Sequence, residues 1–128
     1  MRDIRLTELQ GIFVLVIDDD LHARQYLRSV LELWGAIVTA TSAADAVRMA
    51  LVPDVIVCDH ISAENANGEF LERLRHIHVR QGRRVPAVAL LQRSVKDARG
   101  RAPGFQRYLT KPVDADDLRV AVIELAHS

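Results

Sequence analysis

Pro53-Asp54-Val55-Ile56-Val57-Cys58-Asp59 is the stretch on which the reading of the chain turns. Val55 to Cys58 is a short apolar run rich in β-branched residues, which suits a strand buried on both faces. The run stops at Asp59. A carboxylate placed where a buried strand emerges is badly placed for packing and well placed for chemistry. In open α/β sheets, ligands bind beyond the carboxyl ends of the strands. Asp also favours turns, so the same residue can simply open the next connection. Its surroundings decide between the two.

Working outward, Ile12-Phe13-Val14-Leu15-Val16-Ile17 is a second apolar run, and it too ends in acid, Asp18-Asp19-Asp20. Ile37-Val38-Thr39 is a third strand candidate. Val85 to Leu91 is a fourth, with Pro86 tolerable near its start. Arg107-Tyr108-Leu109-Thr110 is the fifth, closed by Lys111-Pro112. Helical patterns lie between them. Leu27, Val30, Leu31 and Trp34 recur at helical spacing, with Gly35 as a stop. Ser42 reads as an N-cap, followed by a small-residue face of Ala43, Ala46, Val47 and Ala50. Phe70, Leu71, Leu74 and Ile77 mark an amphipathic helix. The signal over residues 92–104 is weak, because Gly100, Pro103 and Gly104 interrupt it. Asp114 caps a last helix that turns Leu118, Val122 and Leu125 inward.

Alternating strands and helices, five of each, predict a parallel sheet with helices on both faces and right-handed crossovers. Residues 1–11 read as a polar tail, 12–128 as one domain, and His60 to Gly68 as a polar loop. The run Arg73, Arg75, His76, His78, Arg80, Arg83 and Arg84 reads as a solvated face. His76 and His78 are two apart and share no helical face, which argues against a metal site there.

The composition is that of an ordinary globular chain of one domain's length. Acids and bases balance at seventeen each, so bulk charge gives no reason to expect nucleic acid or an anionic membrane. No apolar run approaches the ~20 residues of a membrane span, and no signal-peptide core is seen. Cys58 is the single cysteine, which excludes a disulfide framework and a thiolate cluster. These features predict a cytoplasmic protein.

In a parallel sheet all the carboxyl ends lie on one rim. The first strand then delivers Asp18 and Asp19, the third Asp59 and the fifth Lys111. Clustered carboxylates repel unless a cation intervenes. A hard divalent ion such as Mg²⁺ relieves that repulsion. The lysine adds a point charge that pairs with a carboxylate or a phosphoryl oxygen. The set suits phosphoryl transfer to a carboxylate. Asp20 reads as a helix cap.

From about Gly11 to Ala126 the sequence resembles the receiver domains of bacterial two-component signalling. Val14-Leu15-Val16-Ile17-Asp18-Asp19-Asp20 is similar to the family's first strand and acidic pair, and Asp54 to Asp59 to its phosphoacceptor strand. Gly104 to Asp114 is similar to its fifth strand, particularly in receivers of hybrid sensor histidine kinases. The resemblance implies a flavodoxin-like (βα)5 doubly wound sheet of order 2-1-3-4-5. It implies a non-enzymatic phosphorelay module in which Asp59 accepts a phosphoryl group from a histidine kinase or phosphotransfer domain. Mg²⁺ would be held by Asp18, Asp19, Asp59 and the carbonyl of Ile61, and Lys111 would pair with the phosphate or with Asp59. Tyr108 takes the switch-aromatic position. Direct contact with nucleic acid or membrane is not implied, and a homodimer is compatible.

Three features depart from the family. Leu91 stands where a Ser or Thr normally ends the fourth strand, and it has no hydroxyl to bond a phosphoryl group. Ser62-Ala63 replaces Met-Pro after the phosphoacceptor, and Gly68 comes one position late. The fourth helix is short and carries Gly100 and Pro103. These changes predict retained phosphoryl capture with weakened readout. The alternatives are a phosphorylation-independent pseudo-receiver that only binds protein and, ranked lower, a haloacid-dehalogenase-like phosphatase with Asp18 as nucleophile and Asp20 as acid/base.

Overall fold

The five strand candidates become five parallel strands: β1 (Phe13–Ile17), β2 (Ile37–Thr41), β3 (Val55–Asp59), β4 (Ala87–Leu91) and β5 (Arg107–Thr110). The computed structural model describes residues 8–49, 51–65, 70–82, 84–92 and 104–127. The strands form one sheet in the order β2-β1-β3-β4-β5, the doubly wound arrangement that the alternation and the resemblance imply. Every residue of β3 and of β4 is buried. A fully buried aliphatic side chain contributes about 1.5–3 kcal/mol, so these two strands anchor the fold.

Alternation along the strands divides the core. Val14, Val16, Val55, Val57, Val88 and Leu90 point to one face. Leu15, Ile17, Ile56, Cys58 and Ala87 point to the other. On the first face lie α1 (Leu21–Leu33), through Leu27 and Leu31, and the C-terminal helix α5 (Ala115–Ala126), through Leu118, Ala121, Val122 and Leu125. On the second lie α2 (Ala43–Met49), through Ala43 and Ala46, and α4 (Phe70–Arg80), through Leu71 and Leu74. The caps read from sequence are present. Asp20 accepts the His22 N–H at 3.1 Å, Ser42 the Asp45 N–H at 3.3 Å, and Asp114 the Asp117 N–H at 3.0 Å. Gly35, at φ +95°, turns the chain out of α1, and a Cβ there would lie 3.1 Å from Gln10 Cα. Only glycine suits both demands.

Three local readings differ from expectation. Glu8 to Gly11, the end of the expected tail, form a turn. Within it Leu9 is fully buried, its N–H donating to the Trp34 carbonyl at 2.9 Å. Arg119 ties the turn to α5 through Glu8, at 2.6 Å. The expected loop after Asp59 begins instead as a short helix, α3 (His60–Asn65). Its cause is Asp59 itself, whose Oδ2 accepts the Ser62 N–H at 3.0 Å as an N-cap does. His78 is not on a solvated face: it is 1% exposed, and its Nε2 donates to the Leu51 carbonyl at 2.9 Å. Leu71, Leu74 and His78 follow the helical period, and that period overrides the charge pattern. The expectations for residues 93–103 and for Gly68 lie outside the described residues. Among the described residues no helix is long and apolar enough to cross a membrane.

Candidate functional site at the carboxyl rim

Register brings the acids together. Ile17 pairs with Cys58, so the residues that follow them, Asp18 and Asp59, leave the sheet side by side. Leu91 pairs with Thr110, and the next residue, Lys111, donates its N–H to the Leu91 carbonyl at 2.7 Å. Lys111 then reaches back across β4. Its Nζ lies 2.7 Å from Asp59 Oδ1 and 3.1 Å from Asp18 Oδ2. Three of the residues singled out from sequence therefore meet around one ammonium group. Both carboxylates are buried and Lys111 is part-buried.

The remaining oxygens are held as well. Asp18 Oδ1 accepts the Asp20 N–H at 2.9 Å, which closes the turn into α1. Asp59 Oδ2 accepts from Ser62 twice, from its N–H and its O–H, each at 3.0 Å. The Ser62 oxygen also accepts the Asp19 N–H at 2.9 Å. Asp19 is exposed, and its Oδ1 accepts the Ala43 N–H at the start of α2, at 3.2 Å. Ile61 is the second residue of α3, so its carbonyl belongs to a helical turn rather than a loop.

Ser62 is the site residue that sequence reasoning missed. It is 2% exposed and links two backbone segments 43 residues apart. One signal was available: Asp followed three positions later by the residue whose N–H it accepts is N-cap spacing.

The electrostatics follow from this crowding. Burial pushes the Asp18 carboxyl above its ordinary value, and the neighbouring Asp59 charge adds to the effect; the Asp20 N–H and Lys111 oppose it. For Lys111 burial acts downward, but Asp59 and Asp18 outweigh it and hold the ammonium above its ordinary value. Burial, then the Asp59 and Asp18 charges, drive the Cys58 thiol well up, so it stays protonated and unreactive.

Among the described residues no cluster of three or more His, Cys, Asp or Glu side chains is arranged to hold a metal ion. The donor chemistry nevertheless fits Mg²⁺. Asp18, Asp19 and Asp59 offer hard oxygens, and one lysine does not neutralise three carboxylates. Mg²⁺ needs only one or two carboxylates and keeps several waters.

Leu91 and Tyr108, the positions the resemblance marks for the switch, lie in one cluster. Leu91 is 8% exposed and belongs with Ala89 to a small apolar cluster against which Phe105 and Tyr108 pack. Phe105 and Tyr108 meet edge to face, with centroids 6.4 Å apart. The end of β4 thus presents an isobutyl group to the tyrosine, with no hydroxyl. Asp20, the acid/base of the phosphatase alternative, is spent on capping α1. A mostly apolar cavity of about 520 Å³ opens beside Lys111, between Tyr26 and Leu27 of α1 and Val113 before α5.

A five-stranded parallel sheet of this order, covered by helices on both faces, defines a receiver-type fold. The chain belongs to the response regulator receiver domain family, whose model matches residues 14–123. It is 38% identical, over 110 residues and 82% of each chain, to an uncharacterised 14.6 kDa protein of Leptolyngbya boryana from the sodA1 3′ region. Solved structures share the fold. The receiver domain of the Pseudomonas aeruginosa sensor histidine kinase PA1611, which holds a magnesium ion in its active-site cleft, is similar at 24% identity and a TM-score of 0.74. That match covers 92% of this chain and 99% of the other. A receiver protein from Burkholderia phymatum is similar at 21% identity and a TM-score of 0.73, covering 91% and 96%. The chain is therefore a receiver domain, a signalling module of two-component systems.

Proposed function

We propose that this receiver accepts a phosphoryl group on Asp59 from a phosphohistidine of a histidine kinase or phosphotransfer domain. The observation that carries the reading is the position of Lys111 Nζ, 2.7 Å from Asp59 Oδ1 and 3.1 Å from Asp18 Oδ2. Asp59 Oδ1 is the attacking oxygen. Lys111 stands beside it, where it can pair with the negative charge of an incoming phosphoryl group. Asp18, Asp19, Asp59 and the Ile61 carbonyl are the groups that would hold Mg²⁺. The ion, when bound, neutralises charge on the transferring phosphoryl oxygens. Incubation with a small acyl-phosphate donor and Mg²⁺, read by intact mass, tests the reading. A gain of one phosphoryl group that disappears in Asp59→Asn supports it; no gain rejects it.

A second reading, a pseudo-receiver that binds protein without phosphate, has a specific observation in its favour. Every oxygen of Asp18 and Asp59 already has a partner within the chain, and Asp19 caps α2. Mg²⁺ titration separates the two readings. A site closed in this way binds no Mg²⁺ in the millimolar range, whereas a phosphoacceptor site does.

A further inference from the structure

The Ser62 side chain lies against Asp59 but takes no direct part in holding the ion or the phosphoryl group. Its hydroxyl is buried. It donates to Asp59 Oδ2 at 3.0 Å and accepts from the Asp19 N–H at 2.9 Å. Both hydrogen-bonding capacities are used in one direction, from the backbone of the acidic loop to the carboxylate. The Asp19 carboxylate continues the line to the Ala43 N–H, the first residue of α2. Meanwhile β4 ends in Leu90, in register with Asp59, and Leu91, neither of which carries a hydroxyl.

We propose that Ser62 is a positioning residue for phosphoryl transfer at Asp59. It holds Oδ2 so that Oδ1 faces Lys111 and the incoming group, and it links the state of Asp59 to the Asp19 loop and the start of α2. This inference rests on the phosphoacceptor reading. Two donors fix Oδ2, the N–H and the O–H of one residue. A carboxylate clamped on one oxygen cannot rotate about its Cβ–Cγ bond, so the other oxygen is presented in one orientation, and orientation of this kind governs rate. When Oδ1 forms the bond to phosphorus, the leaving group (the imidazole nitrogen of a phosphohistidine, or the acyl oxygen of the small test donor) departs with the electron pair of its broken bond to phosphorus, and the Asp59 carboxylate becomes an acyl phosphate. Its charge leaves Oδ2, which becomes a neutral carbonyl oxygen and a weaker acceptor. The bond from Ser62 weakens, and the Asp19 N–H and Asp19–Ala43 bonds readjust with it.

The test compares the wild type with Ser62→Ala, Ser62→Thr and Ser62→Cys. Two readouts are taken with a small acyl-phosphate donor and Mg²⁺: the rate of phosphoryl gain by intact mass, and the amide resonances of Asp19 and Ala43. The expected result is phosphorylation about 10-fold slower in Ser62→Ala, restored toward the wild-type rate by Thr, which keeps the hydroxyl. The Asp19 and Ala43 amides shift on phosphorylation in the wild type and in Ser62→Thr, and fail to shift in Ser62→Ala. If Ser62→Ala does not fold, Ser62→Cys, a near-isostere with a weak donor, reads the same loss. A Ser62→Ala chain with the wild-type rate and the wild-type amide shifts overturns the inference and leaves the phosphoacceptor reading standing. A wild type that gains no phosphoryl group overturns both.

Discussion

Lys111 Nζ and Asp59 Oδ1 lie 2.7 Å apart although Asp59 ends β3 and Lys111 follows β5, with β4 between them in the sheet. The lysine crosses the end of β4 to make this contact and meets Asp18 at the same place. It is the one cation described against two buried carboxylates there, so its loss should be felt in both folding and chemistry.

Lys111→Ala should lower stability by about 1–3 kcal/mol at neutral pH. Removing one member of a buried pair costs more, but part exposure of the lysine reduces it. Urea unfolding with chelator present measures the effect, which should shrink in acid as Asp18 protonates.

Asp18→Asn should raise stability in the absence of divalent ions, by an amount on the order of 1 kcal/mol. The amide keeps an acceptor for the Asp20 N–H and removes a charge that burial and Asp59 both disfavour, which outweighs the loss of the acceptor for Lys111. The pH dependence follows the same sign. Between the ordinary value of 3.8 and the raised value of Asp18, the folded chain keeps a proton that the unfolded chain has lost, so wild-type stability falls as pH rises through that window. Asp18→Asn should lack that slope. For Lys111 the direction is different in origin: its pairing stabilises below 10.5, and that contribution is lost as pH rises through the higher folded value. Thermal unfolding against pH for the two chains checks both.

Mg²⁺ should stabilise the wild type in a concentration-dependent way, by about 1.4 kcal/mol at ten times the dissociation constant, and so raise its unfolding temperature. Asp18→Asn and Asp59→Asn should each remove most of that response. Differential scanning fluorimetry with added Mg²⁺ and then chelator is sufficient.

Leu91→Thr should cost about 1–2 kcal/mol through lost packing against Ala89, Phe105 and Tyr108. It also supplies a hydroxyl at the end of β4. Phosphorylation of this variant should move the Tyr108 ring resonances, which should stay nearly still in the wild type.

His78→Ala should destabilise by about 2–3 kcal/mol, since it empties a fully enclosed position and leaves the Leu51 carbonyl without this donor. His76→Ala, two residues away on the exposed face, should stay within about 0.5 kcal/mol. Paired urea titrations compare them.

The sheet was legible because each strand is a short apolar run and the runs alternate with helical periods. Asp18, Asp59 and Lys111 were legible because each directly follows or ends such a run. Parallel strands then have only one rim on which to place them. Ser62 carried no comparable mark. It lies in a polar stretch, and its importance comes from Asp19, a partner on another loop that no local pattern points to. His78 was obscured by the cationic residues around it, although its spacing from Leu71 and Leu74 already placed it on the inward face. The helix after Asp59 was hidden because a single side chain caps it, and capping is a contact rather than a composition.

The most direct measurement is to locate the modified carboxylate. After treatment with the small acyl-phosphate donor and Mg²⁺, borohydride reduces an aspartyl phosphate to homoserine, and peptide mass spectrometry then gives its position. Homoserine at position 59 alone is the predicted result. Homoserine at position 18 or at another carboxylate, or none at all, would contradict the role given to Asp59 and Lys111.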